Sequence, residues 1–305
     1  MDNKKVKGYA YGVIASVSYG LNPLFALPLY ASGIRVDSVL FYRYVFALLF
    51  LAVMMKMSGQ SFALKRSEIL PVAVMGLLFS FSSLFLFQSF NYMDAGIAST
   101  ILFMYPVLVA VIMAVFFKEK LSGVKIASIA TAFVGISMLY KGEGGATLSM
   151  TGVCLVLMSS LTYALYIVGV NRSSLKEVPG LKLTFYAILF GSLVYIVRLR
   201  GGMDLQWLTG GTQWMNALGL ALFPSLISMV TIAKAIRNIG ATPPAILGAL
   251  EPLTALFVGV MVFHERLTGG NVVGILLILF AVTLIVVGPR GWLRFKAVWH
   301  KRTVG

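Results

Sequence analysis

Charge, histidine and cysteine are all scarce in this chain of 305 residues. Charged side chains make up 11% of it, ten residues are Asp or Glu, two are His and one is Cys. A single cysteine, Cys154, forms no disulfide framework and no thiolate metal site, and it lies inside an apolar segment. The histidines are His264 and His300, too few for most metal and acid–base chemistry. So little charge also excludes an ordinary soluble domain, where about 25% of residues are charged and about 45–50% apolar. What fills the chain instead is hydrophobic side chains, 59% of the total, for a mean hydropathy of +0.92. These are the proportions of an integral membrane protein.

A helix needs about 20 apolar residues to cross a bilayer. Runs of that kind lie at about 8–30, 38–57, 69–90, 95–117, 123–141, 150–170, 182–199, 214–236, 241–263 and 270–288. The expected fold is therefore all-α, with ten transmembrane helices. Ten spans consume about 200–220 residues and leave connectors of about 8–9 each, with no room for a soluble domain. The first run follows Lys4, Lys5 and Lys7, contains Pro23 and Pro28, and has no convincing small-residue cleavage site, so it reads as a retained helix and not a signal peptide.

Lys and Arg outnumber Asp and Glu by 25 to 10, a net charge of +15. In a soluble protein that excess suggests nucleic acid; here its placement in short loops gives it another meaning. One side holds Lys4, Lys5, Lys7, Lys56, Lys65, Arg66, Lys118, Lys120, Lys125, Arg172, Lys176, Lys182, Lys234, Arg237 and the basic tail. The other holds Arg35, Lys141, Arg198, Arg200 and Arg266. By the positive-inside rule both termini are expected in the cytoplasm, with the chain in the cytoplasmic (inner) membrane and no nucleic-acid partner. The tail from Gly291 to Arg302 alternates aromatics and cations, which suits an anchor among lipid headgroups better than a regulatory element.

The chain also repeats itself. Tyr105-Pro106 to Phe117-Lys118-Glu119-Lys120-Leu121-Ser122-Gly123 lies over Glu251-Pro252 to Phe263-His264-Glu265-Arg266-Leu267-Thr268-Gly269 at an ungapped offset of 146, which also pairs Gly142 with Gly288. A second match, Ser16 to Leu21 over Ser160 to Leu165, has an offset of 144. The expected organisation is a first repeat at 1–143, a second at 144–289 and the tail at 290–305. Five helices per repeat is an odd number, so the second repeat enters the membrane from the opposite side. Inverted repeats of this kind let one central site open alternately to each face.

Ten helices in two five-helix halves, a central Pro in each, a closing Glu-Lys/Arg-Leu-Ser/Thr-Gly and Leu250-Glu251-Pro252 resemble the EamA family of the drug/metabolite transporter superfamily, over about residues 8–288. The resemblance implies transport of an amino acid, another metabolite or a drug, with no enzyme activity and no cofactor. It leaves direction, coupling ion and oligomeric state open. The first half departs from the second in having Tyr105 where the second has Glu251, so no role of that carboxylate is duplicated.

Polar groups at membrane depth are costly and mark candidate sites. Glu251 is the one acid that falls mid-span, either as a proton acceptor or counter-charge to a substrate amine, or as a hydrogen-bonded tie between helices. It shares a helical face with Gly248 and Thr254, by spacing. Arg43, in the second span, either holds a substrate carboxylate or snorkels to the interface. Ser18, Tyr19 and Asn22 form a polar face whose mates are Thr162, Tyr163 and Tyr166; a shared cavity or interhelical packing accounts for it. Lys234, with its mate Gln88, is a gate residue or a simple anchor. Pro106 and Pro252 interrupt the fourth and ninth spans as candidate hinges. Phe79, Phe81, Phe85 and Phe87 either line an apolar pocket or face lipid and core. Glu119 and Glu265 begin the turns into the fifth and tenth spans and are read as structural carboxylates at those helix starts.

The function expected from all this is secondary transport of a small organic metabolite by alternating access, as export, with protons a candidate coupling ion. A lipid-modifying membrane enzyme would need clustered carboxylates, histidines or a phosphate loop. A passive channel fits two exchangeable halves less well.

Overall fold

Inside a bilayer every backbone N–H and C=O must be paired within the protein, and a helix does so within a single segment. The computed structural model describes residues 3–119, 122–140, 149–240 and 242–303, with 287–303 as backbone alone, and among these the regular structure is entirely helical. Lys120 and Leu121 of the first closing motif, Lys141, Gly142 and the expected boundary near residue 143 lie outside the described residues.

The helices are α1 (Asn3–Gly20), α2 (Asn22–Ala31), α3 (Val36–Met57), α4 (Arg66–Ser89), α5 (Ala95–Leu102), α6 (Tyr105–Phe117) and α7 (Gly123–Tyr140) in the first half. The second half has α8 (Met150–Arg172), α9 (Gly180–Arg198), α10 (Gly211–Ala221), α11 (Ser228–Ile239), α12 (Thr242–Leu247), α13 (Leu250–Phe263) and α14 (Gly269–Thr303), with a π-helical segment at Leu222–Ile227 between α10 and α11. Among the described residues nine stretches are long and apolar enough to cross a membrane, and the fifth expected span, Gly123–Leu139, is a shorter apolar helix. The chain is a multi-pass membrane protein.

Four spans are interrupted. α1 gives way to α2 at Leu21, α5 to α6 at Phe103–Met104, α12 to α13 at Gly248–Ala249, and α10 to α11 through the π segment around Pro224. Proline has no N–H to donate and is tolerated in a first helical turn; Pro23, Pro106 and Pro252 each stand in the first turn after a break. The candidate hinges thus restart their helices and do not kink continuous ones. Gly248 likewise lies in the break, not on the helical face of Glu251 expected from spacing.

The two halves are joined helix by helix: α1 packs on α11 and α4 on α8, while α3 meets α9, α5 meets α13, and α7 meets α14. α3 and α9 run antiparallel and are tied at both ends. At one, Arg198 Nε lies 2.6 Å from Asp37 Oδ1 and Gln206 Nε2 donates to Gly33 O at 2.9 Å. At the other, Lys182 Nζ donates to Ala63 O at 2.9 Å and the Tyr186 hydroxyl donates to Phe62 O. Between them Tyr44 and Tyr195 meet edge to face, 4.8 Å between centroids, and Tyr195 OH donates to Ser80 O at 3.0 Å. Interhelical hydrogen bonds of this sort contribute about 0.6 kcal/mol each on average, so shape complementarity carries most of the packing.

Among the described glycines, the closest approach to backbone of the other half is at Gly20, the last residue of α1. A Cβ there would sit 2.5 Å from Glu251 O and 2.6 Å from Thr254 Cβ, so only glycine lets α1 reach α13. Overpacking a close contact costs about 1–3 kcal/mol. Gly20→Ala should therefore lower the melting temperature of the detergent-purified protein by several degrees, whereas Gly123→Ala, where an added Cβ meets nothing within 4 Å, should not. Equal melting temperatures for wild type and Gly20→Ala would show that the contact relaxes freely.

Candidate functional site

A cavity of about 260 Å³ lies between the halves, lined by Tyr19 of α1, Arg43 and Tyr44 of α3, Phe79 of α4 and Tyr105 of α6 from the first half. Tyr163 of α8, Ser225 of the π segment, Ser228 of α11, Gly248 of the α12–α13 break and Glu251 of α13 complete it from the second. It continues past Ile232 and Ile236 to Pro244 and Ala245, at the end of α11 and the start of α12. A second cavity, about 350 Å³, shares Tyr105 and Ala245 with it and reaches Glu119 and Lys125. In the opposite direction, beyond Tyr19, Tyr105, Tyr163 and Glu251, only about 20 Å³ remains, bounded by Asn22, Ser99 and Pro252. The space is wide at the α12 end and pinched at the other.

The interrupted helices make this lining. Irregular backbone is tolerated at membrane depth only where it is buried in protein or faces a cavity, and each of the four breaks contributes residues to one of these two spaces. The Leu102 carbonyl, released at the α5–α6 break, accepts from Ser160 Oγ at 3.1 Å. Asn22 Nδ2 donates to Tyr19 O across the α1–α2 break at 2.8 Å, while its Oδ1 is buried without a protein partner beside the small cavity.

Arg43 is 4% exposed, so it does not snorkel. Its Nε donates to Ser225 Oγ at 3.3 Å and its guanidinium carbon stands 5.1 Å from the Phe87 ring centroid. Both contacts hold a weakly hydrated, planar cation at the cavity wall. No ion pair joins it to Glu251 among the described residues; the guanidinium and the carboxyl face the same space separately. Tyr105 and Tyr163 meet edge to face at 4.8 Å, and Tyr166 stacks behind Tyr163 at 6.0 Å, also touching Phe79 at 5.5 Å. Tyr166 thus supports the wall and does not line it.

Of the expected residues, Glu251, Arg43, Tyr19, Tyr105 and Tyr163 come together at the main cavity, Asn22 and Pro252 at the small one and Pro106 at the neighbouring one. Gln88, on the last turn of α4, and Lys234 are not part of these linings. Lys234 is exposed, with its ammonium 5.5 Å from the Tyr11 centroid. Sequence reasoning missed Tyr44, Ser225 and Ser228; the signal for the serines was Pro224-Ser225 in the middle of an apolar span. Of the phenylalanines of α4, Phe79 lines the cavity, Phe87 lies buried under Arg43 and Phe81 is exposed.

The two closing-motif carboxylates behave differently: Glu119 stays at the start of the helix that follows it, and Glu265 does not. Glu119 pairs with Lys125 at 2.7 Å, and Glu265 crosses to the first half, where its carboxylate accepts from the backbone N–H of Ala95 at 2.9 Å and Gly96 at 3.4 Å. For Glu265, adjacency in sequence suggested the wrong helix start.

A multi-pass helical bundle whose two halves share a largely apolar cavity with a few polar groups in its wall is the architecture of a membrane transporter. The EamA-like transporter family matches residues 6–141 and again 150–287, and the chain belongs to that family. It is 23% identical over 258 residues to the uncharacterized transporter YxxF of Bacillus subtilis, covering 83% of this chain and 82% of that one. Similar figures hold for the uncharacterized transporters YvbV (22% over 227 residues, 73% of each chain) and YcbK (21% over 286 residues, 90% and 91%) of the same organism. A solved crystal structure, 15% identical, superposes with a TM-score of 0.65 over 94% of this chain and 99% of that one, a likeness of fold.

Burial pushes the Glu265 carboxyl above its ordinary range and the neighbouring Asp94 carboxylate adds to this, against the two backbone N–H groups that favour the ion. Asp94 is pushed up by burial too. A carboxyl that holds its proton more tightly folded than unfolded costs stability when ionised, and that cost disappears as pH falls through the raised range. The melting temperature of wild type relative to Glu265→Gln should therefore rise as pH is lowered from about 8 to about 5. A difference that stays flat or falls contradicts the assignment.

Proposed function

We propose that the chain is a secondary transporter that carries a small organic metabolite, an amino acid or related compound, out of the cell across the cytoplasmic membrane by alternating access. The observation that carries this reading is one cavity with a buried Arg43 and a Glu251 carboxylate unpaired with each other. A guanidinium takes a carboxylate bidentately, and Glu251 takes an amine or a proton. The aromatic wall of Tyr19, Tyr44, Tyr105 and Tyr163 encloses the body between these two ends. Because Tyr105 replaces a second carboxylate, the site has one acid, and proton and amine compete for it.

Ten spans in two inverted repeats are supported by the pairing of helices: α3 with α9 and α7 with α14 each join an element to its own repeat mate, and α5 with α13 joins the fourth span to the ninth. The basic loops put both termini in the cytoplasm. The wide cavity then faces the cytoplasm, where an exported substrate loads.

Two experiments test this. In a Cys154→Ala background, single cysteines at Ser67 and Ser174 should react with impermeant thiol reagents from the cytoplasmic face only, and one at Thr209 from the outside only; the reverse pattern overturns the topology. In proteoliposomes screened with metabolites under an imposed pH gradient, Glu251→Gln should abolish gradient-driven accumulation. Counterflow should survive with affinity lowered about 10-fold, the loss of one charge-assisted contact. Accumulation by Glu251→Gln equal to wild type would make Glu251 a packing residue.

A further inference from the structure

The turns at Lys118–Glu119 and His264–Glu265 are repeat mates with the same backbone. Lys118 and His264 have φ of 54° and 58°, and the following N–H groups donate to Met113 O at 3.2 Å and to Gly259 O at 3.0 Å. Only the carboxylates part company: Glu119 stays within its own half on Lys125, while Glu265 spans the two halves to the start of α5.

Glu265 enters a slot that glycine alone leaves open. A Cβ on Gly259 would lie 2.0 Å from its Oε2, and one on Gly96 would lie 3.1 Å from the same oxygen and 2.9 Å from Leu256 Cα. The mates of these glycines are Met113 and Thr242, so the first half has the turn and the carboxylate without the slot. The contact sits at the end of α13, the far end of the span whose other end, at Pro244 and Ala245, borders the wide part of the cavity.

We propose that Glu265 is a latch that holds the pinched end of the cavity shut, by fastening the end of α13 in one half to the start of α5 in the other, and that it must leave the Gly96–Gly259 slot for the cavity to open there. Among the described residues no matching latch holds the Glu119 end, so the resting protein favours the arrangement open at the α12 end. The inference rests on the alternating-access reading of the site and adds to it the residue that sets the balance between the two arrangements.

The test places a reporter cysteine at Ser228, on the cavity wall, in the Cys154→Ala background, and measures its rate of reaction with an impermeant methanethiosulfonate added to each face of oriented proteoliposomes. The parent should react quickly from the α12 face and slowly from the opposite one. Glu265→Ala removes the capping acceptor; Gly259→Ala keeps the carboxylate but fills its seat. Each should raise the rate from the opposite face by about 3- to 30-fold, the population shift that loss of a helix-capping contact brings. Glu265→Gln, which keeps one acceptor oxygen, should fall between, and Glu119→Ala should leave that rate unchanged. Continued reaction from the α12 face identifies folded protein in every case. An unchanged opposite-face rate in folded Glu265→Ala and Gly259→Ala, or an equal rise in Glu119→Ala, overturns the latch. A parent whose labelling from both faces ignores every transported metabolite overturns alternating access instead, so the two failures are distinct.

Discussion

The need to pair every backbone polar group inside a bilayer governs this protein more than any single side chain. A continuous helix meets it without help; an interrupted one has to find partners nearby. Here, among the described residues, four spans are interrupted and each break borders the main cavity or the small one beyond it, so the cost is met with a few serines and an asparagine. Ser160 on the Leu102 carbonyl and Asn22 on the Tyr19 carbonyl are the clearest instances. The prolines follow the same logic, since a residue with no N–H loses nothing where the helical bond is already absent.

Charge is then used sparingly. Arg43 rests on a serine hydroxyl and an aromatic face instead of a carboxylate, which holds the cation in place without neutralising it. Under the proposed function, a guanidinium and a carboxyl that are not spent on each other are both left for a guest. The aromatic rings around them have few rotatable bonds, so the shape of the wall changes little from moment to moment.

Much of this was legible in the sequence wherever a polar residue stood alone in an apolar run: Glu251, Arg43, Tyr19, Tyr105 and Tyr163 all reach the cavity. The repeat offset was less reliable for function. Lys234 and Gln88 are mates by arithmetic, yet neither lines the space, because equivalence under a repeat fixes a place in the fold and not the direction a side chain takes. Ser225 and Ser228 were hidden because hydroxyls are common in membrane helices as packing groups, and the π turn that aims them has no side-chain pattern of its own. Glu265 was misplaced because a carboxylate before a helix ordinarily serves that helix, whereas its partner lies about 170 residues away in the other half.

The contact at Gly20 constrains how such a molecule can move. Where α1 touches the Glu251 carbonyl and Thr254, Gly20 has no side chain of its own to compress or slide aside, so the two helices cannot close further at that point, and drawing them apart would expose buried backbone. Displacement is therefore cheapest by tilting about the crossing, with the two ends of each helix travelling in opposite senses. In the alternating access proposed above, a bare glycine would act as a fulcrum, converting the closing of one end into the opening of the other at the residue that carries the acid.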